Sequence, residues 1–141
     1  MKIYFACSIT GGREFEPTYR DITEALLADG HDVPTSHLAD PGVKLVEGRV
    51  NPRDVYERDT AWIRECEALV AEVSTPSHGV GFEVAYALGL GKPVLCLYHE
   101  KQPVSKMLTG NTYPKFRIKK YRESHEAISI LRSFLQGGFE L

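Results

Sequence analysis

Residues 71–97 constrain the fold of this 141-residue chain more than any other part of its sequence. They read AEVSTPSHGVGFEVAYALGLGKPVLCL, and the pattern predicts a strand, a loop, a helix and a second strand. Between His78 and Lys92 the only charged side chain is that of Glu83. A helix that is apolar on all sides is typical of a buried helix, where an isolated carboxylate carries a large desolvation cost. Glu83 is therefore predicted to be paired, protonated or used in chemistry.

The loop before this helix, residues 74–79, contains three hydroxyl side chains and a glycine. A helix N-terminus presents free N–H groups and the positive end of the helix dipole, so it can bind an anion. The sequence thus predicts an anion site about one and a half helical turns from Glu83. A plain structural alternative is that Glu83 pairs with a Lys or Arg from elsewhere in the chain.

Apolar segments alternate with helical patterns along the whole chain. The segments predicted as strands are residues 2–6, 32–37, 68–73, 93–98 and 116–121. This alternation predicts a parallel sheet with helices on both faces. We expect one α/β domain over residues 1–141, with a flavodoxin-like, doubly wound, five-stranded sheet in the order 2-1-3-4-5. The carboxyl ends of the first and third strands then meet at one crevice.

A second carboxylate is out of place on the helix that is predicted to begin at Asn51 and Pro52. The inward face of this helix, by its i, i+4, i+7, i+8, i+11 spacing, comprises Val55, Asp59, Trp62, Ile63 and Cys66. Asp59 stands where an apolar residue is expected, although it could instead cap a neighbouring loop. The segment before the helix, residues 38–50, is predicted to be a loop.

Two loops rich in glycine and hydroxyl side chains, residues 8–12 and 74–79, are predicted to converge at the crevice. Glycine lets the backbone approach a ligand closely, and N–H and hydroxyl groups donate to anionic oxygens. The sequence has no Walker lysine motif, which argues against nucleoside triphosphate hydrolysis. Cys7 and Ser8 follow the first strand, where a phosphoacceptor receiver domain needs acidic residues.

Glu83 and Asp59 facing one pocket suit glycosidic chemistry, in which one carboxylate is the nucleophile and the other manages a proton. Tyr4 and His37 are expected to line the same crevice. Each has a bland alternative, because Tyr4 also fits a packed strand aromatic and His37 a surface histidine.

Composition excludes several other classes of protein. With 43% hydrophobic and 26% charged residues and a net charge of −2, non-specific binding to a nucleic-acid polymer is not expected. No apolar run reaches membrane-spanning length, and the first residues show no signal-peptide pattern. The three cysteines have no paired spacing, which predicts reduced thiols in a cytoplasmic protein. No metal-ligand spacing is present, so no metal site is expected.

The same residues carry a resemblance to a known family. The resemblance lies in Tyr4-Phe5, Ser8-Ile9-Thr10-Gly11-Gly12, Arg58-Asp59, Ala71-Glu72-Val73 and the run from Pro76 to Glu83. Together they resemble the 2'-deoxynucleoside 5'-phosphate N-hydrolases of the nucleoside 2-deoxyribosyltransferase group. The similarity covers essentially the whole chain, including Val104-Ser105-Lys106-Met107.

This resemblance implies a homodimer that hydrolyses deoxynucleoside monophosphates to a free base and deoxyribose 5-phosphate, with no cofactor. By position, it implies that Glu83 is the nucleophile at C1', that Tyr4 orients it, and that Asp59 assists proton transfer to the base. The substrate-binding positions that it implies are Cys7, Ser8, Ile9, Thr10, Gly11, Gly12, Arg13, His37, Ser77, Gly79, Ser105, Lys106 and Met107. Ser105 is implied to reach the phosphate in the neighbouring subunit's site.

Thr10 is a departure from the family, because animal members carry Arg at this position. Arg13 is the residue that could compensate for the missing charge in binding a 5'-phosphate. Three alternative functions remain open at this stage: a deoxyribosyltransferase, an N-glycosidase of ribonucleoside monophosphates such as cytidine monophosphate, and a non-catalytic nucleotide sensor. The sensor leaves the two misplaced carboxylates unexplained.

Overall fold

The computed structural model describes residues 1–138, which contain four β-strands and six α-helices. The strands are β1 (Ile3–Ala6), β2 (Ala68–Glu72), β3 (Val94–His99) and β4 (Phe116–Tyr121). The helices are α1 (Glu16–Ala28), α2 (Val43–Glu47), α3 (Pro52–Glu65), α4 (His78–Gly89), α5 (Lys106–Thr109) and α6 (Ser124–Ser133). A short 3-10 helix, Ser36–Ala39, precedes α2, and a wide turn, Phe134–Gly138, follows α6.

The four strands form one parallel sheet in the order β1-β2-β3-β4. Every residue of β1 and β2 is buried, as expected for strands that are covered on both faces. The predicted α/β class with a parallel sheet is therefore confirmed. These strands also keep the relative order that the sequence predicted for them.

The prediction of a strand over residues 32–37, which would have made the sheet five-stranded, is wrong. Only Asp32 makes a strand-like bridge, with Lys2, before the chain turns. Pro34 has no backbone N–H to donate to a ladder. The Thr35 hydroxyl acts instead, accepting from the Phe5 N–H at 3.0 Å and donating to the Phe5 carbonyl at 2.7 Å. A side chain thus satisfies the backbone at the outer edge of β1.

The segment predicted as a loop, residues 38–50, is also partly helical. It completes the 3-10 helix and then forms α2. Its apolar residues Leu38, Ala39 and Val43 are buried and anchor it to the body of the protein. Helix formation here depends on tertiary packing, because a helix this short is not stable alone.

Helices cover both faces of the sheet. On one face, alternate strand residues such as Phe5, Val70 and Leu95 pack with Tyr19 and Ile22 of α1 and with Leu131 of α6. On the other face, Tyr4, Leu69 and Cys96 pack with Ile63 of α3 and with Val80 and Val84 of α4. Because side chains alternate along a strand, Tyr4 faces α3 and α4.

The helix that carries Glu83 is buried on one side only, so the expectation of a helix buried all round is wrong. Phe82 is half exposed on α4, and Leu90 at its end is also exposed. The prediction of the inward face of α3 is confirmed at Ile63 and at Cys66, which follows the last helical residue, because both are buried. Its other members, Val55, Asp59 and Trp62, are only partly buried.

Candidate active site

A cavity of about 700 Å³ lies at the carboxyl ends of β1 and β2, between α2, α3 and α4. Its polar lining comprises Cys7, Thr10, Lys44, Glu47, Asp59, Thr60, Ser77, His78 and Glu83. Apolar and aromatic side chains, among them Ile9, Val55, Tyr56 and Phe82, form the rest of the wall. A cavity that combines apolar and aromatic walls with polar groups at defined positions is typical of a small-molecule site.

Glu83 projects into this cavity from the second turn of α4. Its Oε2 accepts a hydrogen bond from the Tyr4 hydroxyl. Among residues 1–138 it forms no ion pair with Lys or Arg, so the structure gives no support to the plain structural alternative. Burial raises the pKa of Glu83 to about 8. At neutral pH this carboxyl is therefore mostly protonated.

Tyr4 is fully buried in β1, which fixes the position of its hydroxyl. The structure thus brings together two of the three residues predicted to be catalytic. A phenol that donates to a carboxylate favours the ionised form of that carboxylate. Tyr4 therefore opposes the effect of burial on Glu83.

Asp59, the third of these residues, faces the same cavity from α3. Burial raises the pKa of its carboxyl, while the neighbouring Arg58 lowers it. The Arg58 Nε donates to Asp59 Oδ1 at 2.8 Å. Glu83 and Asp59 thus both have raised pKa values, and they lie on adjacent helices that open onto one cavity.

His37 does not line the cavity wall. Its Nε2 lies 3.3 Å from Glu47 Oε1, and its ring packs edge-on against Trp62 with centroids 6.1 Å apart. Glu47 lines the cavity instead, in contact with Arg58. Sequence reasoning missed Glu47 and Lys44, both in the segment predicted to be a loop.

The two glycine- and hydroxyl-containing loops do converge. A Cβ on Gly11 would lie 2.4 Å from the carbonyl oxygen of Pro76, so only glycine permits this approach. Gly12 has a φ of +134°, and its position faces the Thr75 methyl group. Ser8 is fully buried beneath this contact, and its Oγ has no hydrogen-bond partner within residues 1–138.

Ser77 and Gly79 stand where α4 begins, on the cavity wall. The Ser77 Oγ accepts from the Val80 N–H at 3.2 Å and so caps the helix. The helix N-terminus itself therefore opens into the cavity, as the sequence predicted.

Cys7, Ile9 and Thr10 follow β1 and also line the cavity. Burial raises the pKa of the Cys7 thiol to about 12. At neutral pH Cys7 is therefore a thiol and not a thiolate, so it is a poor candidate for the nucleophile.

Arg13 does not line the cavity, and its donors are used elsewhere. Its Nε contacts Glu16 at 2.9 Å, and its Nη atoms donate to the carbonyls of Ser8 at 3.1 Å and Asp40 at 3.0 Å. It therefore ties the loop after β1 to its neighbours. The lysine on the cavity wall is Lys44.

Ser105, Lys106 and Met107 are exposed and do not line the cavity of their own chain. The Ser105 Oγ caps α5 by accepting from the Met107 N–H at 3.2 Å. The Met107 side chain is 83% exposed. Contact of these residues with such a site would require either movement of this segment within the same chain or a second copy of the chain.

A further buried carboxyl, Glu72, lies at the end of β2 on the opposite face of the sheet. It accepts from the Tyr121 hydroxyl and, at 2.7 and 2.8 Å, from the N–H and hydroxyl of Ser74. Its hydrogen bonds indicate a structural role in anchoring the loop after β2.

Between residues 1 and 138 no cluster of His, Cys, Asp or Glu is arranged to hold a metal ion. In the same range no helix is long and apolar enough to span a membrane.

Comparison with known proteins yields close sequence relatives. The family model for nucleoside 2-deoxyribosyltransferase matches residues 3–127. A protein from Methanococcoides burtonii, provisionally named 2'-deoxynucleoside 5'-phosphate N-hydrolase 1, is 41% identical over 84% of this chain and 98% of its own. The mouse protein named 5-hydroxymethyl-dUMP N-hydrolase is 36% identical over 94% of this chain and 79% of its own.

Solved structures share the fold. A CMP N-glycosidase from Clostridium botulinum superposes with a TM-score of 0.68 at 20% identity, over 94% of this chain and 99% of that one. A 2-deoxyribosyltransferase from Bacillus psychrosaccharolyticus gives a TM-score of 0.63 at 19% identity, over 91% and 90% of the two chains. At this level of identity the likeness concerns the fold alone.

Proposed function

The chain belongs to the nucleoside 2-deoxyribosyltransferase family, and we propose that within it the protein hydrolyses 2'-deoxynucleoside 5'-monophosphates to a free base and 2-deoxyribose 5-phosphate. Its sequence relatives are N-hydrolases by name, and this chain is likewise an enzyme. The observation that carries the choice of substrate bond is the pair Glu83 and Asp59, two carboxyls with raised pKa values on one cavity. Such a pair suits cleavage of a glycosidic bond.

In the first step the ionised Glu83 carboxylate attacks C1' of the sugar. The N-glycosidic bond breaks, its electron pair goes to the base, and Asp59 delivers a proton to the base. The product is a covalent glycosyl-enzyme ester on Glu83. In the second step water attacks C1' and gives a proton to Asp59, and the ester bond breaks so that Glu83 is again a carboxylate.

Tyr4 supports this assignment of the nucleophile. Glu83 reacts only when ionised, and burial disfavours that form. The Tyr4 hydroxyl donates to Glu83 Oε2 from a fully buried position and stabilises the anion. It also holds the carboxyl in one orientation, which is what an attack on C1' requires.

A 5'-phosphate fits the N-terminal end of α4. Ser77 and Gly79 line the cavity there, and backbone N–H groups with the helix dipole favour an anion. Lys44 on the cavity wall supplies positive charge that Thr10 does not. The contact between Gly11 and Pro76 holds the loop of residues 8–12 against the loop that leads into α4.

The base fits the aromatic part of the cavity wall. Tyr56 and Phe82 both line the cavity, with ring centroids 6.2 Å apart. Both side chains are half exposed, so aromatic surface remains available to a planar ligand even though Phe82 stacks against Tyr86. This part of the wall belongs to α3 and α4, the helices that also carry Asp59 and Glu83.

Product analysis tests the proposed function. The protein is incubated with deoxynucleoside monophosphates, the matching deoxynucleosides and ribonucleoside monophosphates, each with and without an acceptor base. We expect release of free base that depends on the 5'-phosphate and does not need an acceptor. Equal catalytic efficiency for deoxynucleosides would move the function toward a nucleosidase or a transferase. Tight binding without turnover would establish a sensor.

The proposal includes a homodimer in which Ser105, Lys106 and Met107 complete the neighbouring subunit's site. Their exposure and their absence from their own cavity wall are consistent with this arrangement. An inactive Glu83→Ala chain is mixed with an inactive Ser105→Trp chain. Mixed dimers are expected to regain up to one working site, built from Glu83 of one chain and Ser105 of the other. Mixed dimers that form but remain inactive would exclude a shared site.

A further inference from the structure

Arg58 is held from three sides next to the cavity. Its Nη2 and Nη1 donate to the two carboxylate oxygens of Glu47 at 2.6 and 3.2 Å. Its Nε donates to Asp59 Oδ1 at 2.8 Å. Its guanidinium carbon lies 4.9 Å from the centre of the Trp62 ring. A planar guanidinium with a two-pronged partner and an aromatic face below it has little freedom to reorient.

The contact between Arg58 and Asp59 is unusual for adjacent residues of a helix. Side chains at i and i+1 point in different directions and do not normally meet. Here Arg58 reaches across because Glu47 of α2 binds the far edge of its guanidinium. Glu47 therefore determines where Arg58 lies, and Arg58 in turn contacts Asp59.

Only one oxygen of Asp59 is used in this cluster. Oδ1 accepts from Arg58, while Oδ2 has no hydrogen-bond partner within the part of the chain that the structure describes. Asp59 and Glu47 line the cavity, whereas Arg58 does not. The arrangement therefore anchors one carboxyl oxygen and leaves the other available to a ligand.

We propose that Arg58, held by Glu47, is a positioning residue that fixes Asp59 Oδ1 and thereby presents Oδ2 as the atom that exchanges a proton with the substrate. This inference rests on the proposed function, in which Asp59 gives a proton to the base and later takes one from water. It assigns a role to two residues, Arg58 and Glu47, that do not themselves touch the reacting atoms.

Arg58 and Glu47 have opposite effects on the pKa of Asp59. Arg58 and, more weakly, His37 stabilise the ionised form of Asp59, whereas Glu47 disfavours it. Glu83, Lys44 and His78 face the same cavity. The pKa of Glu47 is lowered mainly by its hydrogen bonds from Arg58, so one guanidinium is shared by two carboxylates.

Opposite effects of two substitutions follow from this sharing. Arg58→Gln removes the cation from Asp59 and should raise its pKa. Glu47→Gln keeps an oxygen that can accept from Arg58 but removes a neighbouring negative charge, so it should lower that pKa. Since Asp59 must carry a proton when the base leaves, Arg58→Gln should widen, and Glu47→Gln should narrow, the pH range in which Asp59 is protonated.

The first measurement does not depend on catalysis. Carboxyl ¹³C NMR follows the titration of Asp59, and its resonance is identified by its disappearance in Asp59→Asn. We expect movements of about one pH unit, upward in Arg58→Gln and downward in Glu47→Gln. Arg53→Gln is the matched control, because Arg53 pairs with Glu57 on the exposed side of the same helix. An unchanged Asp59 titration in both variants would overturn the proposal even if the enzyme hydrolyses nucleotides as expected.

The second measurement is a double-mutant cycle. Arg58→Gln should lower kcat about tenfold to a hundredfold, a part of the contribution that general acid–base catalysis makes, with a smaller effect on KM. In the Asp59→Asn background the same substitution should cost nothing further, because Arg58 acts through Asp59. Equal losses in both backgrounds would show a merely structural role and overturn the proposal.

Arg58→Lys guards against a variant that fails to fold. Lysine keeps the charge but lacks the fork that reaches Glu47 and Asp59 together. We expect the Asp59 titration to stay near that of the unchanged protein while kcat recovers only partly. Full recovery of kcat would show that charge alone matters and that Arg58 does not position Asp59.

Discussion

Replacing Glu83 by Gln should make the protein more stable at alkaline pH. Burial raises the pKa of Glu83 from its ordinary value of 4.5 to about 8 in the folded state. The folded state thus favours the protonated form. Stability is lost as the pH rises above the unfolded pKa, and the loss is complete once the pH exceeds the folded pKa. Gln has the shape of the protonated carboxyl and does not ionise, so the variant escapes this loss.

The size of the effect follows from the two pKa values. A tenfold change in protonation corresponds to about 1.4 kcal/mol, so full ionisation of the buried carboxyl costs about 5 kcal/mol. Between about pH 5 and pH 9 the unchanged protein should lose about 4 kcal/mol of unfolding free energy through this group. That is a large share of the roughly 5–15 kcal/mol that stabilises a typical domain.

Urea denaturation at several pH values measures this difference. The unfolding free energy of Glu83→Gln is compared with that of the unchanged protein, and Glu24→Gln serves as a control at an exposed position. We expect the two curves to meet near pH 5 and to separate by about 4 kcal/mol near pH 9. If both proteins show the same pH dependence, Glu83 is not held protonated by burial. The variant should also lose catalysis by roughly a thousandfold or more, so the nucleophile is kept at the expense of stability.

Three further outcomes are expected. The Glu83 carboxyl should titrate near pH 8 in carboxyl ¹³C NMR, with its resonance identified by its absence in Glu83→Gln; titration in the ordinary range of a carboxyl group would contradict the effect of burial. Asp59→Asn should slow base release by roughly a hundredfold or more in single-turnover experiments while calorimetry shows retained substrate binding; unfolding of the variant with unchanged activity per folded molecule would make Asp59 structural. Gly11→Ala should destabilise the protein by about 1–3 kcal/mol in denaturation experiments and weaken substrate binding, because its Cβ would meet the Pro76 carbonyl at 2.4 Å; the control is Gly42→Ala, where nothing lies within 4 Å, and equal effects would refute the reasoning.

The strands were predictable where their apolar character is continuous. Residues 68–73 and 93–98 were predicted to be strands, and the structure has Ala68–Glu72 and Val94–His99. The failure at residues 32–37 has a local cause, since Pro34 cannot donate to a ladder and Thr35 bonds to β1 through its side chain. An apolar pattern does not distinguish a backbone ladder from a side chain that replaces it.

Two of the carboxyls on the cavity wall were predictable, because each interrupts an apolar pattern in the sequence. Glu83 and Asp59 both face the cavity, as expected. Glu47 and Lys44 gave no comparable signal, because α2 is a single short turn held by the burial of Val43. A helix this short has no periodicity that a sequence pattern can show.

The partners of long basic side chains were not predictable. Arg13 was expected to help with a phosphate, but it donates to the carbonyl of Asp40, which lies 27 positions away along the chain. The bond between Arg58 and Glu47 likewise depends on how α2 folds back over α3. Contacts of this kind are set by tertiary structure, and neither residue's immediate neighbours indicate them.

The two outer edges of the sheet are the places where chains could associate edge to edge at high protein concentration. An unpaired strand edge is a template for another chain. At β1 the backbone N–H and carbonyl of Phe5 are both occupied by the Thr35 hydroxyl, and Asp32 pairs with the next backbone groups along. At β4 the exposed Lys119 and Lys120 place repelling charge along the opposite edge. The protein thus resists edge-to-edge growth by a hydroxyl at one end of the sheet and by charge at the other, and loss of the Thr35 hydroxyl leaves one edge open to aggregation.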